Sequence, residues 1–338
     1  VTVTTRVQVV GTQRSGSNML RLMLAQLGVF APPSTHLIDD FRPMLAGYAP
    51  LHSANNLSRL VHDVLAMIDV NVLTWPAGPP TGAEVLARCQ HDRTMSLGSV
   101  LRAVYDAGAA AAGSTIWACK DLENLHHSDL ITAAVPQIHV VHLLRDPRDV
   151  ALSFAQAPIG PKDPRTIGLS WAADQIVAGR WRRQVPAGRW HELRYERLIA
   201  TPGRELRRLC DRLGLRYHAT ALEFHRRQDA IHAPGLSTLW TNLDRPVMTD
   251  NSGRFHRVEH RGFVTQVEES AFETMRRHGY QPTFVDRQRT YDTDELARIN
   301  AEDQRLRRAT RDGRDPVTER RHRRRDDLLR RLRAGRLG

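Results

Sequence analysis

Two periodicities alternate along this chain. Val7-Gln8-Val9-Val10 has the length and composition of a buried strand, whereas Asn18 to Leu27 carries Met19, Leu20, Leu22, Met23, Leu24 and Leu27 at helical spacing. Ile116 to Cys119, Ile138 to Leu144 and Trp190 to Arg194 repeat the strand pattern, each followed by helix signals. Strands alternating with helices predict an α/β fold, with a parallel β-sheet flanked by helices on both faces. Ligands of such sheets bind at the carboxyl ends of the strands, where the strand-to-helix loops converge. From Phe41 to Gly113 the pattern is helical and apolar, broken by the Pro- and Gly-rich stretch Trp75 to Gly82, and it reads as a helical insertion over the site. Asp229 to Gly262 has little periodicity and is rich in Asn, Asp, Gly and Arg, as an ordered functional loop is. After Tyr291 two charged amphipathic helices are predicted, Thr293 to Thr310 and Val317 to Leu332. The chain thus divides into a domain over 1–286, with 41–113 as its insertion, and an Arg-rich helical extension over 287–338.

Composition narrows the classes. With 338 residues and 41% apolar content, the chain can bury a substantial core. No apolar run approaches the roughly 20 residues that span a bilayer, and the N-terminus opens on a strand, so a cytoplasmic protein without a transmembrane segment is expected. Cys89, Cys119 and Cys210 lack paired spacing, which predicts neither a zinc site nor disulfides and points to a reducing compartment. Of the net charge of +12, residues 287–338 supply +7, with 17 Arg against 10 Asp and Glu. That tail raises the reading of a nucleic-acid or membrane-surface binding module. Its charges alternate in sign, which suits a solvated or oligomer-facing helix better, so no nucleic-acid partner is expected. Leu296, Ile299 and Leu306 are spaced to dock the first tail helix on the domain or on a second subunit, a homo-oligomer contact.

The chemistry concentrates in two segments. Gly11-Thr12-Gln13-Arg14-Ser15-Gly16-Ser17-Asn18 joins a strand to a helix, and such a turn aims unsatisfied N–H groups at one place while Arg14 adds a fixed charge. It is P-loop-like, but Ser17-Asn18 stands where a nucleotide P-loop has Lys-[Ser/Thr], which argues against magnesium and a triphosphate; no metal is expected. A nucleotide or small-molecule kinase is therefore the weaker enzymatic alternative. In Val140 to Ser153, an apolar strand delivers Arg145 to its carboxyl end, Asp146 can cap the following helix and Pro147 suits its first turn. Ser153 then falls on that helix, so that Arg145 and a hydroxyl converge as a second phosphate clamp.

Together the two segments resemble the donor-binding signatures of the sulfotransferases that use 3′-phosphoadenosine 5′-phosphosulfate, in a bacterial, actinobacterial-like branch. Arg145 and Ser153 stand eight positions apart, as the family's Arg-x7-Ser element requires. Leu193-Arg194-Tyr195-Glu196-Arg197-Leu198 is similar to the family's Tyr-Glu-x-Leu segment. Leu239-Trp240-Thr241-Asn242 and Asp250 to Phe255 are similar to its late loop over the nucleotide. The resemblance runs from about Arg6 to Pro282. It implies that Arg14 with the amides of Ser15, Gly16, Ser17 and Asn18 holds the 5′-phosphate, that Arg145 and Ser153 hold the 3′-phosphate with Arg254 as a further candidate, and that Tyr195 lies near the adenine. Arg14 stands where animal cytosolic members carry Lys, as in the bacterial and Golgi branches, and the late loop lacks the Arg-Lys-Gly triplet of the former. Lys120, at the end of the strand Ile116 to Cys119, matches the family's second cation. His36 lies in Pro33 to Ile38, which resembles a Pro-Pro-His-Ile-Leu segment of a bacterial branch, and is the candidate general base at the end of a second parallel strand. Asp39, Asp40, His126 and His127 are its rivals. The implied reaction is transfer of a sulfuryl group to a hydroxyl of a small-molecule acceptor, whether natural product, lipid or glycan; the apolar insertion favours a hydrophobic one.

Overall fold

The computed structural model describes residues 2–75, 77–90, 95–236, 240–312 and 316–337. Four strands, β1 (Thr5–Val10), β2 (Ile116–Cys119), β3 (His139–Leu144) and β4 (Trp190–Arg194), form one parallel sheet in the order β2-β1-β3-β4. Val7 pairs with Ala118 on one side and His139 on the other, and Leu144 pairs with Arg194. The apolar runs are continuous because both faces are covered. Val7, Val9, Ala118, Val141 and Leu143 enter one core cluster, while Val10, Trp117, Cys119 and Val140 enter the other, as the two-residue period of a strand dictates.

Helices α1 (Ser17–Gln26) and α10 (Pro202–Leu213) supply the first of these clusters. Helices α3 (Ala54–Asp69), α4 (Gly82–Cys89) and α5 (Leu97–Ala111) supply the second, together with a 3-10 turn over Arg42–Tyr48. The short α2 (Leu37–Phe41) precedes that turn, and α6 (Ser128–Ala134) leads into β3. Helices α7 (Pro147–Gln156), α8 (Pro164–Arg182) and α12 (Arg261–Arg277) form a third apolar cluster beside the sheet, and α9 (Tyr195–Ala200) and α11 (Gln228–His232) complete the body. Chain order runs outward from β1 to β2, then returns across β1 to β3. The sheet therefore switches direction between β1 and β3, the place where such folds open a crevice.

The expected α/β fold is borne out, with strand limits at Ile116–Cys119 and Trp190–Arg194 as read from the pattern. The expected strand ending at His36 does not form: Phe30 makes one isolated parallel bridge to Trp117, after which the chain leaves the sheet. Pro33 bars a ladder N–H in that stretch. The tail forms α13 (Thr293–Asp312) and α14 (Pro316–Leu337), each slightly longer than predicted. Ile299 and Leu329 are buried within the chain, whereas Leu296 is exposed. Pro76 of the Pro- and Gly-rich stretch, residues 91–94 of the insertion and Leu239 of the late loop lie outside the described residues. No helix among the described residues is long and apolar enough to cross a membrane.

Candidate active site

The turn after β1 is shaped by close approach. Gly11 has φ +142°, and a Cβ there would sit 2.2 Å from the Leu143 carbonyl oxygen of β3; at Gly16, φ +88°, it would meet the Tyr195 ring at 2.6 Å. Neither position admits another residue. Arg14 also adopts a left-handed φ of 71°, a conformation that costs energy in a non-glycine residue and marks functional turns. Gly16 caps α1 without a side-chain bond to the first-turn amides. The Ser15 hydroxyl is buried without a partner.

Across the crevice, Arg145 directly follows the last residue of β3. Asp146 caps α7 by accepting from the Arg148 amide, and Pro147 occupies the first turn, as the sequence predicts. The Arg145 guanidinium donates to the Arg14 carbonyl (2.8 Å) and to the Asn251 carbonyl (2.9 Å), and lies 4.1 Å from the centroid of the Tyr195 ring. Its Nε is buried and unpaired. Arg14 Nε donates to Ser153 Oγ at 3.1 Å. Burial, and secondarily the neighbouring Arg145, push the Arg14 guanidinium down to about 10. Among the described residues, no carboxylate forms an ion pair with either arginine.

The late loop is tied over this pair. Asn251 Nδ2 donates to the Tyr195 hydroxyl (2.7 Å), and Asp149 accepts from the Gly253 amide (2.7 Å). The result is a cavity of about 380 Å³ that Gly16, Ser17 and Asn18 line together with Arg14, Arg145, Ser153, Tyr195 and Arg254. Ser15 is buried and is not among its lining residues. Arg254 stands at the edge, its Nη2 3.5 Å from Gln156 Oε1.

Arg14, Ser17, Asn18 and Trp240 also line a second cavity of about 210 Å³, which holds Lys120 and His36. Burial, then the charge of Arg21, lowers the Lys120 ammonium to about 8. His36 begins α2 with a left-handed φ of 53°, and its Nδ1 is 3.8 Å from Glu123 Oε2. The next residue after Lys120 holds this loop in place: buried Asp121 accepts from the Thr35 amide (2.9 Å), the Thr35 hydroxyl (2.6 Å) and the His36 amide (3.1 Å). Sequence reasoning missed Asp121, although an acid beside a strand-end lysine was visible. It missed Glu123 as a cavity residue too, and it gave Trp240 to the late loop over the nucleotide alone, whereas Trp240 lines both cavities.

The rivals of His36 are committed elsewhere. Asp39 accepts from His127 Nε2 (2.7 Å), and His126 is bonded to Asp174 (3.0 Å) at a neighbouring cavity. Asp40 is buried and paired with Arg325 of α14; burial holds its carboxyl up at about 6. One ligand-type atom from each of His36, Asp39 and Glu123 falls within 4.8 Å of the other two. Glu123 is bonded to Gln13 and Asp39 to His127, so two of the three are satisfied within the protein. Of the apolar insertion, Asn71, Val72 and Leu73 after α3 reach the second cavity.

A parallel α/β sheet with an amide-rich turn and two arginines without ion-paired carboxylates at its switch point has the make-up of an anion site. Residues 6–219 match the model of the Sulfotransferase family; the chain belongs to that family and is a sulfuryl transferase. The sulfotransferase domain from the Synechococcus PCC 7002 olefin synthase superposes with a TM-score of 0.53 at 19% identity, over 79% of this chain and 94% of that one. The sulfotransferase domain from the curacin biosynthetic pathway gives 0.52 at 19% identity, over 79% and 99%. These likenesses show the shared fold. No curated protein matches the chain.

Proposed function

We propose that the chain transfers a sulfuryl group from 3′-phosphoadenosine 5′-phosphosulfate to a hydroxyl of a small molecule. The observation that carries this reading is the pair Arg14 and Arg145: a half-buried and a buried guanidinium group that open on one cavity without an ion-paired carboxylate, Arg145 lying on the Tyr195 ring. Like charges held together call for an anion between them. The donor fits the unspent atoms, since Arg145 Nε and Ser15 Oγ are buried donors without partners. On this reading the turn amides and Arg14 bind the 5′-phosphate, Arg145 and Ser153 the 3′-phosphate, and Tyr195 borders the adenine. Arg254 is a rim contact.

The acceptor enters the second cavity, which shares Arg14 and Trp240 with the first. His36 takes the acceptor's hydroxyl proton as the new O–S bond forms. The bond from sulfur to the 5′-phosphate oxygen breaks, and Lys120 and Arg14 offset the charge gathering there. The free, buried cysteines are consistent with a reducing, cytoplasmic setting.

Calorimetry and thermal melting test the donor. Adenosine 3′,5′-bisphosphate is expected to bind and raise the Tm, and Arg145→Ala to weaken it by about 1.5–3 kcal/mol. Magnesium-ATP is expected to leave the Tm unchanged. Equal stabilisation by ATP would restore the kinase reading.

A further inference from the structure

The C-terminal helix, which the donor reading leaves without a role, forms part of the acceptor site. Leu329 of α14 is buried in the core cluster that also contains Tyr48, Leu60 and Val64, and Leu328 and Leu332 pack against that cluster. This anchors the helix over α3 and the 3-10 turn Arg42–Tyr48. His322 and Arg325, three residues apart and so on one face, then line the cavity that contains His36 and Lys120.

We propose that Arg325 binds an anionic group of the acceptor, so that the substrate is a hydroxy compound that also bears a carboxylate or phosphate. Arg325 offers five N–H donors, and among the described residues its contact is the single ion pair from Nη2 to Asp40. Asp40 does not line the cavity, whereas Arg325 does. The guanidinium fork can hold one carboxylate at one edge and keep another edge for a ligand, whereas a lysine offers both only the attraction of a point charge.

The charges around the cavity favour an anion. Arg14, Lys120 and Arg325 face it against Glu123, and Glu123 already accepts from Gln13. Resting on the proposed donor reading, the phosphosulfate group offsets Arg14 and Lys120. Arg325 then remains as the cation available to the acceptor. With its side chain 17% exposed, it is largely withdrawn from water, which strengthens its attraction for an anion. Arg325 also lies outside residues 6–219, the span matched by the family, so this selectivity belongs to the chain's own extension.

The test uses two matched pairs of probes, titrated calorimetrically into the full chain saturated with adenosine 3′,5′-bisphosphate. One pair is 3-(4-hydroxyphenyl)propanoate and its methyl ester; the other is 4-hydroxyphenyl phosphate and 4-methoxyphenol. The expected result is about tenfold tighter binding of at least one anionic member than of its neutral partner, as for one charge-assisted contact. Which pair responds separates carboxylate from phosphate. Arg325→Gln is expected to erase the difference while leaving bisphosphate affinity unchanged, and Arg325→Lys, which keeps the charge, to retain part of it. Equal binding within both pairs, no binding of either anion, or a preference that survives Arg325→Gln would overturn the proposal. So would a preference lost as fully in Arg325→Lys as in Arg325→Gln, which would assign the loss to helix docking. If the wild type fails to bind the bisphosphate, the donor reading is what fails; the same pairs titrated into the free protein still decide the role of Arg325.

Discussion

At the residue scale the site depends on groups held in costly states. His36 occupies a left-handed conformation that Asp121 maintains through the loop amides, and its Nδ1 faces Glu123, so that on the proposed reading Nε2 meets the acceptor. His36→Ala is expected to lower turnover on the order of 10²-fold or more with unchanged bisphosphate affinity, measured by a coupled rate assay beside calorimetry. Loss of turnover in Asp40→Asn but not in His36→Ala would pass the role to the carboxylate. Lys120 gives a second test. Its ammonium is lowered from the ordinary value of 10.5 to about 8 by burial, with Arg21 adding to the effect. It is charged below that pH and neutral above it. The kcat/KM profile, which reports the free enzyme, is therefore expected to fall above about pH 8, and the limb to disappear in Lys120→Ala at a reduced rate. The limb in kcat is expected at higher pH, because bound phosphosulfate stabilises the ammonium. An alkaline limb unchanged in Lys120→Ala would remove this residue from the chemistry.

At the element scale, the two tail helices have different tasks. Asp303 of α13 is buried and accepts from the Asp163 amide at the N-terminus of α8 (2.9 Å), so removing α13 would leave buried amides unsatisfied. All the matched motifs lie upstream of Asp286, which by itself would make the whole tail dispensable for donor binding. The packing makes a stop after Asp312 the cleaner experiment. That truncation is expected to keep bisphosphate affinity within about twofold and to raise the acceptor KM by roughly tenfold or more, since it removes a cavity wall and its cation. A lost donor site would show that α14 supports the β1 turn as well.

At the scale of the whole molecule, the charge of +12 is less available than it appears. Arg307 pairs with Asp303 (2.5 Å), Arg305 with Glu302 (2.6 Å), Arg323 with Glu319 (3.7 Å) and Arg325 with Asp40. Paired arginines release few counterions from a polyanion, so duplex DNA is expected to bind weakly already at about 50 mM salt and to be undetectable at about 200 mM. Bisphosphate binding, made by a half-buried and a buried arginine, is expected to persist over that range. Fluorescence anisotropy at two salt concentrations checks both. DNA binding that survives the higher salt would revive the nucleic-acid reading of the tail.

Sequence alone determined the parts of this protein whose information is local. Strand runs, the Gly11 to Asn18 turn, the Asp146 cap with Pro147, and the eight-position spacing of Arg145 and Ser153 are short-range patterns, because backbone conformation and side-chain periodicity are set within a few residues. The sulfotransferase family followed from two such patterns in one order. Tertiary structure decided the remainder. No local rule reveals that Asp121 would hold the His36 loop, that Asp40 would be consumed by an arginine 285 positions away, or that the tail would fold back as a wall of the cavity that contains His36 and Lys120. Those contacts depend on packing between segments distant in the chain, where burial and charge pairing select among many partners that the amino-acid pattern leaves equivalent.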